Sequence, residues 1–148
     1  MFIWNVRIVI ALVLLSVCTY SDIRERNIYM LPIAVSVLIA VCVWVLDLMI
    51  NPRDILLEEM YKWILLPLVV GIVAVLFTKM FSMYIGMGDG YLLASLCMIV
   101  GVDMAMKTLC IAMMLCGICG IIYLILDKKS EQIPFAPFML VAFLGMLI

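Results

Sequence analysis

The sequence predicts an all-α, polytopic membrane protein with about six transmembrane helices. Of its 148 residues, 70% are hydrophobic and only 13% are charged, and the mean hydropathy is +1.38. A typical soluble domain has about 25% charged residues. Apolar runs of about 20 residues, the length that a helix needs to cross a bilayer, alternate with short polar connectors. We therefore expect residues 1–148 to form a single transmembrane domain.

Three apolar runs in the first part of the chain predict the first three spans. They cover Phe2–Tyr20, a stretch from Ile28 or Leu31 to Ile50, and Tyr61–Tyr84. The connector 21–27 is polar, and 51–59 is typical of a short interfacial segment. Pro32 suits the first turn of the second helix, whereas Pro67 predicts a kink near the start of the third.

The rest of the chain predicts three further spans. They cover Tyr91–Val102, Thr108–Leu126 and 133–148, with a solvated loop over 127–132. The fourth is short for a crossing unless its helix starts near Gly88 and continues to Met106, before a tight connection to the fifth. The sixth opens with Pro134 and Pro137 and is also short.

The order of the spans predicts which acidic residues share a side of the membrane. In a six-span chain the first, third and fifth spans end on the same side. Asp22 follows the first span and Asp89 follows the third, so we expect both on one face, together with the segment 133–138. Asp47 and Asp103 fall toward the opposite face, where we expect interfacial or capping roles.

Asp89 is the most unusual residue of the chain, because it lies among glycines in a nearly lipid-soluble sequence. An Asp at the centre of a membrane helix is unfavourable by roughly 2.5–3.5 kcal/mol, so such residues usually face polar cavities and have a function. Two structural alternatives remain open. Asp89 could cap a helix that begins at Gly90, or it could lie in a solvated turn.

Asp22 and Asp89 together suggest acid–base chemistry. Two nearby carboxyl groups cannot both ionise easily, so the pair shares one proton. The ionised group can then accept a proton from an attacking water while the protonated group donates to a peptide carbonyl. Gly86, Gly88 and Gly90 would let the backbone approach an extended substrate, or they form only a turn.

Composition excludes several other function classes. The chain has no His, which removes Ser-His and Cys-His catalysis and most zinc sites, and we expect neither metal nor cofactor. Its nine basic and ten acidic residues are spread over short connectors, so nothing predicts nucleic-acid binding. All six cysteines lie in apolar segments, and the pair Cys116 and Cys119 is expected to pack.

Three motifs resemble those of the type IV prepilin peptidases and archaeal preflagellin peptidases, which are GxGD membrane aspartic proteases. The stretch 86–93 (GMGDGYLL) resembles their GxGDxKL signature. Asp22 and the following run 23–28 (IRERNI) resemble the motif around the first catalytic aspartate. The segment 134–137 (PFAP) is similar to the proline pair that opens the last helix of the family. The three motifs occur in the family's order and cover essentially the whole chain.

The resemblance implies an endopeptidase that removes the leader of pilin-like precursors after a Gly, at the cytoplasmic face of the plasma membrane. Asp22 and Asp89 match the two catalytic positions. The chain looks like the short Flp/Tad-type form, without the amino-terminal methyltransferase domain. It differs from the usual pattern at Tyr91, where many members have Lys, and at residues 29–30, where many have Pro-Asn. These differences bear on substrate preference; the precursor and the oligomeric state are left open.

Two further expectations concern the membrane. Arg24 and Arg26 are expected to anchor the connector at the lipid headgroups. The distribution of basic residues weakly favours a cytoplasmic location for the side that carries Asp22 and Asp89. The alternative function is non-enzymatic: a proton-coupled carrier that uses Asp22 and Asp89 as titrating sites, or an inactive scaffold. A carrier usually has its acids near the bilayer midplane, whereas both acids here adjoin polar connectors.

Overall fold

The described part of the chain is entirely helical. The computed structural model describes residues 2–25, 30–50, 64–80, 86–126 and 134–147. Within these ranges lie six α-helices: α1 (Phe2–Glu25), α2 (Met30–Ile50), α3 (Leu66–Met80), α4 (Met87–Val100), α5 (Val102–Ile125) and α6 (Ala136–Leu147). The predicted all-α class is confirmed for these residues. The predicted segments 51–59 and 127–132 lie outside them.

Helix α1 is longer than the apolar run that predicts it. Its hydrophobic part was expected to end at Tyr20, followed by a polar connector, but the helix continues to Glu25. The added residues include no Gly or Pro, and Arg24 in the last turn complements the negative end of the helix dipole. Asp22 is consequently held on a helix rather than in a loop.

Helix α3 shows a local irregularity at its predicted proline. Ile64 and Leu65 form a π turn directly before the α-helical residues, and the buried Pro67 lies in the first α-helical turn. Proline has no N–H for a hydrogen bond to the preceding turn, and π turns are one of the ways in which helices accommodate such a gap. The ends of the predicted third span lie outside the described residues.

The boundary between α4 and α5 differs from the prediction. Helix α4 begins at Met87, in line with the earlier of the two proposed starts, but it stops at Val100 instead of continuing to Met106. Gly101 has φ 87° and ψ 161°, and its N–H donates to the carbonyl of Cys97 at 3.0 Å. Side-chain-bearing residues rarely adopt this conformation, so glycine allows a one-residue turn between the two helices.

Helix α4 is the centre of the bundle. It packs against α1, α2, α3 and α5, whereas α6 packs against α1 and α5. Leu92, Leu96, Cys97 and Ile99 on α4 are completely buried. None of the large apolar side chains described on α4 is exposed, in contrast to those of the other five helices. Because α4 is surrounded by protein, its position is fixed from several sides.

The outer surface of the bundle is apolar. Exposed side chains on the surrounding helices include Val13, Leu38, Val73, Ile121 and Val141. Among the described residues, two helices are long and apolar enough to cross a membrane, with candidate spans Trp4–Arg24 and Val102–Tyr123. The 14 residues of α4 extend over only about 21 Å, less than the hydrocarbon thickness of about 30 Å. The two long helices give a weak indication of membrane association.

Candidate active site

Asp22 connects the end of α1 to the start of α6. Its side chain is buried on the last turn of α1, and its Oδ2 accepts a hydrogen bond from the backbone N–H of Ala136 at 3.0 Å. Ala136 is the first residue of α6 and lies 114 positions later in the chain. The bond therefore joins two of the three segments that the sequence motifs single out.

The proline-containing start of α6 explains why this N–H is available. The N–H groups of Phe138 and Met139 both donate to the carbonyl of Phe135, at 3.1 and 3.3 Å. Pro137 has no N–H, and Phe135 at the N-cap has no acceptor in its side chain. The N–H of Ala136 thus lacks a cap from its own segment, and Asp22 supplies the acceptor. Pro134 and Pro137 accordingly lie within two positions of the residue that is bonded to Asp22.

Asp89 occupies the third position of α4. Its N–H donates to the carbonyl of Gly86 at 3.1 Å, and Gly86 is the N-cap residue of the helix. The possibility that Asp89 caps a helix beginning at Gly90 is therefore wrong. The positive end of the helix dipole stabilises a carboxylate in the first turn, so an acidic residue at this position also has a structural explanation. The side chain is half-buried.

The structure places Asp22 and Asp89 within electrostatic range of each other. Asp22 lies close enough to Asp89 for the two carboxylates to repel each other. The charge of Asp89 also reaches the thiol of Cys116 on α5. Asp22 is buried and Asp89 is half-buried.

The three glycines around Asp89 have different surroundings. A Cβ at Gly90 would lie 2.9 Å from Cγ2 and 3.1 Å from Cβ of Thr78 on α3. The expectation that Gly90 faces a substrate is thus corrected: its open side is occupied by α3. Gly88 is half-buried. Gly86 is exposed, and a Cβ added to it would lie 3.4 Å from Oδ2 of Asp89. Of these glycines, Gly86 is the one whose open side faces the carboxylate of Asp89.

A second small-residue contact extends the close approach of α3 and α4. A Cβ at Gly71 would lie 3.1 Å from Cβ of Ala94. Gly90 and Ala94 are four residues apart on one face of α4, the small-xxx-small spacing that lets membrane helices approach closely. This contact fixes α4 against α3 and so determines where Asp89 lies.

The other predicted residues lie around this pair or away from it. Tyr91 is half-buried against the core. Arg24 is exposed; its guanidinium donates to the hydroxyl of Tyr20 at 2.8 Å and lies 5.9 Å from the centre of that ring. Arg26 and the side chain of Asp47 lie outside the described residues. Asp103 is exposed in the first turn of α5, at the other end of α4, about 17 Å along the helix from Asp89.

Sequence reasoning missed two parts of the site. The N–H of Ala136 has no side-chain signal, and only the proline pair around it indicated that the segment mattered. Thr78 was not considered either, although it stands seven residues after Gly71, which places both on one face of α3.

The described residues form an all-helical bundle in which Asp22 on α1 is bonded to the start of α6 and lies within electrostatic range of Asp89 on α4. In the part of the chain that the structure describes, no group of three or more His, Cys, Asp or Glu side chains could hold a metal ion. No protein-family model, no curated protein and no solved structure matches the chain.

Proposed function

We propose that the chain is a membrane aspartic endopeptidase in which Asp22 and Asp89 are the catalytic pair. The observation that carries the proposal is that Asp22 interacts with two distant segments of the chain. Asp22 of α1 is hydrogen-bonded to Ala136 of α6 and repels Asp89 of α4. These are the three segments that resemble the motifs of the prepilin and preflagellin peptidases. These interactions support the resemblance in space, in addition to the order of the motifs along the chain.

The carboxyl pair can perform peptide hydrolysis by general acid–base catalysis. The ionised carboxylate accepts a proton from a water molecule as its oxygen attacks the carbonyl carbon of the scissile peptide. The protonated carboxyl donates its proton to the carbonyl oxygen, and proton transfer to the departing nitrogen then allows the C–N bond to break. One carboxyl ends protonated and the other ionised, so the pair is ready for another cycle.

The proposed substrate is a pilin-like precursor with a hydrophobic segment that follows its leader. The enzyme would lie in the plasma membrane with the acid pair toward the cytoplasm, and it would cut after a Gly. The apolar surface of the bundle supports a membrane location. The short α4 is compatible with six spans, because helices that are surrounded by protein need not match the lipid thickness themselves.

Cleavage of a co-expressed precursor tests the proposal. The wild-type chain, Asp22→Asn and Asp89→Asn are expressed with a pilin-like precursor, and the amino terminus of the product is read by mass spectrometry. Amide replacement keeps the side-chain shape and removes the titrating group, so both variants should leave the precursor uncut. Asp103→Asn is the matched control, because Asp103 is exposed at the far end of α4.

The outcomes separate the enzyme from the alternatives. Wild-type trimming with loss in both variants and retention in Asp103→Asn supports the peptidase. A variant that cuts at the wild-type rate removes that aspartate from the catalytic pair. If the folded wild-type chain leaves several pilin-like precursors intact, the carrier or scaffold becomes the better explanation.

A further inference from the structure

The hydrogen bond between α6 and Asp22 has a feature that a simple helix cap does not need. A helix normally obtains its cap from the side chain of its own N-cap residue, within a few positions of the chain. Here the N-cap residue is Phe135, and the acceptor is a carboxylate on another helix. The N-terminus of α6 and one carboxylate oxygen of Asp22 are thereby held at a set distance.

The chemistry of this bond favours one protonation state of Asp22. A backbone N–H is a donor only, so it pairs with a carboxylate oxygen and loses part of that interaction when the oxygen carries a proton. The positive end of the α6 dipole acts in the same direction. Pro137 has no N–H, so Ala136 supplies the one backbone donor of the first two residues of α6.

The surroundings of Asp22 identify the groups that act against this bond. Helix α4 brings Asp89, whose charge repels that of Asp22. On α1 itself, Cys18 lies one turn earlier, and its thiol interacts electrostatically with Asp22. Helix α6 contributes no titratable side chain between Ala136 and Leu147. On α2, Cys42 is exposed, and the side chain of Asp47 lies outside the described residues.

We propose that the backbone N–H of Ala136 is a positioning group that holds Asp22 as the ionised member of the pair and directs it toward Asp89. This inference rests on the proposed peptidase function and deepens it by assigning roles. Asp22 accepts the proton of the attacking water, and Asp89 carries the proton that is donated to the peptide carbonyl. Ala136 itself does not touch the substrate.

Ala136→Pro tests the proposal, because it removes the N–H; it also adds two ring carbons at a buried position, so its cleavage rate is compared for the folded protein. Proline is well tolerated at the first position of a helix. Ala136→Gly is the matched control, since it changes the side chain and keeps the N–H. We expect Ala136→Pro to lower the cleavage rate roughly tenfold or more, and to move the acidic fall of the pH–rate profile to higher pH. Ala136→Gly should retain the wild-type profile.

Two results in this experiment would overturn the proposal. One is a folded Ala136→Pro protein with the wild-type rate and pH profile. The other is an equal loss in Ala136→Gly, which would assign the effect to side-chain packing. A merely structural role of the bond would lower the amount of active protein without moving the pH profile.

A second measurement does not depend on activity or on the folding of the proline variant. The exchange rate of the Ala136 amide hydrogen is compared in the wild type, Asp22→Ala and Asp89→Ala. We expect faster exchange in Asp22→Ala alone, because only that variant lacks the acceptor. Unchanged exchange in Asp22→Ala would show that the bond is not formed and would end the proposal.

The failure of this inference can be distinguished from the failure of the proposed function. If the wild type cuts no precursor while the amide exchange responds to Asp22→Ala, the bond exists and the peptidase function is wrong. If the wild type cuts and Ala136→Pro behaves as the wild type, the function stands and the positioning role is wrong.

Discussion

The contact between Gly90 and Thr78 makes a sharp prediction about the glycine next to the second aspartate. In Gly90→Ala the new methyl carbon would lie 2.9 Å from Cγ2 and 3.1 Å from Cβ of Thr78. Carbon atoms pack at about 3.5–4.0 Å. Thr78 is buried, and its hydroxyl donates to the carbonyl of Val75 at 3.0 Å, so rotation of its side chain would break that bond.

The magnitude follows from overpacking of a close helix contact. Such substitutions destabilise proteins by about 1–3 kcal/mol, which corresponds to a fall of roughly 2–12 °C in Tm for a chain of this size. The backbone at position 90 must also move by several tenths of an ångström, and Asp89 moves with it. We therefore expect slower cleavage together with lower thermal stability.

Thermal unfolding in detergent, followed alongside precursor cleavage, measures both effects. Thr78→Ala in the same chain removes Cγ2 and Oγ1, so the double variant should recover most of the stability and activity lost in Gly90→Ala. Gly117→Ala is the control, because a Cβ at Gly117 meets nothing within 4 Å. Its Tm should stay unchanged or rise, since alanine favours the helix by about 1 kcal/mol.

Two outcomes would refute this reasoning. If Gly90→Ala has the Tm and the cleavage rate of the wild type, α3 and α4 are farther apart than in the structure. If it remains stable but inactive and Thr78→Ala gives no recovery, Gly90 faces the substrate, as the sequence alone suggested.

Two other predictions concern the backbone and the membrane arrangement. Gly101→Ala should lower the free energy of unfolding by about 1–3 kcal/mol, because φ 87° and ψ 161° are accessible almost only to glycine; Gly145→Ala, which has open space, is the control in the same unfolding assay. An equal Tm for the two variants would contradict the assigned turn. In the six-span arrangement, reporter domains fused at the carboxyl terminus and inserted within 127–132 should report opposite sides of the membrane, with the insertion in the cytoplasm. Reports from the same side would refute six spans.

The helical class and the candidate residues could be predicted from the amino-acid sequence alone. Apolar runs of helical length require internally satisfied backbone hydrogen bonds, so the six helical regions could be read from local composition. Asp22 and Asp89 stood out because acidic side chains in an apolar chain are energetically unfavourable without a partner. Both inferences depend on properties of single residues and their near neighbours, which a sequence displays directly.

The contacts between those residues depend on how the helices pack. The extension of α1 to Glu25 depends on side chains that suit either a helix or a connector, so composition could not choose between them. The bond from Ala136 to Asp22 spans 114 positions, and the occupant of the space beside Gly90 is a residue of another helix. Backbone donors carry no side-chain signature, and distances between helices arise from packing. The sequence could predict that the two aspartates share a face, but the backbone group that is bonded to Asp22 became visible only in three dimensions.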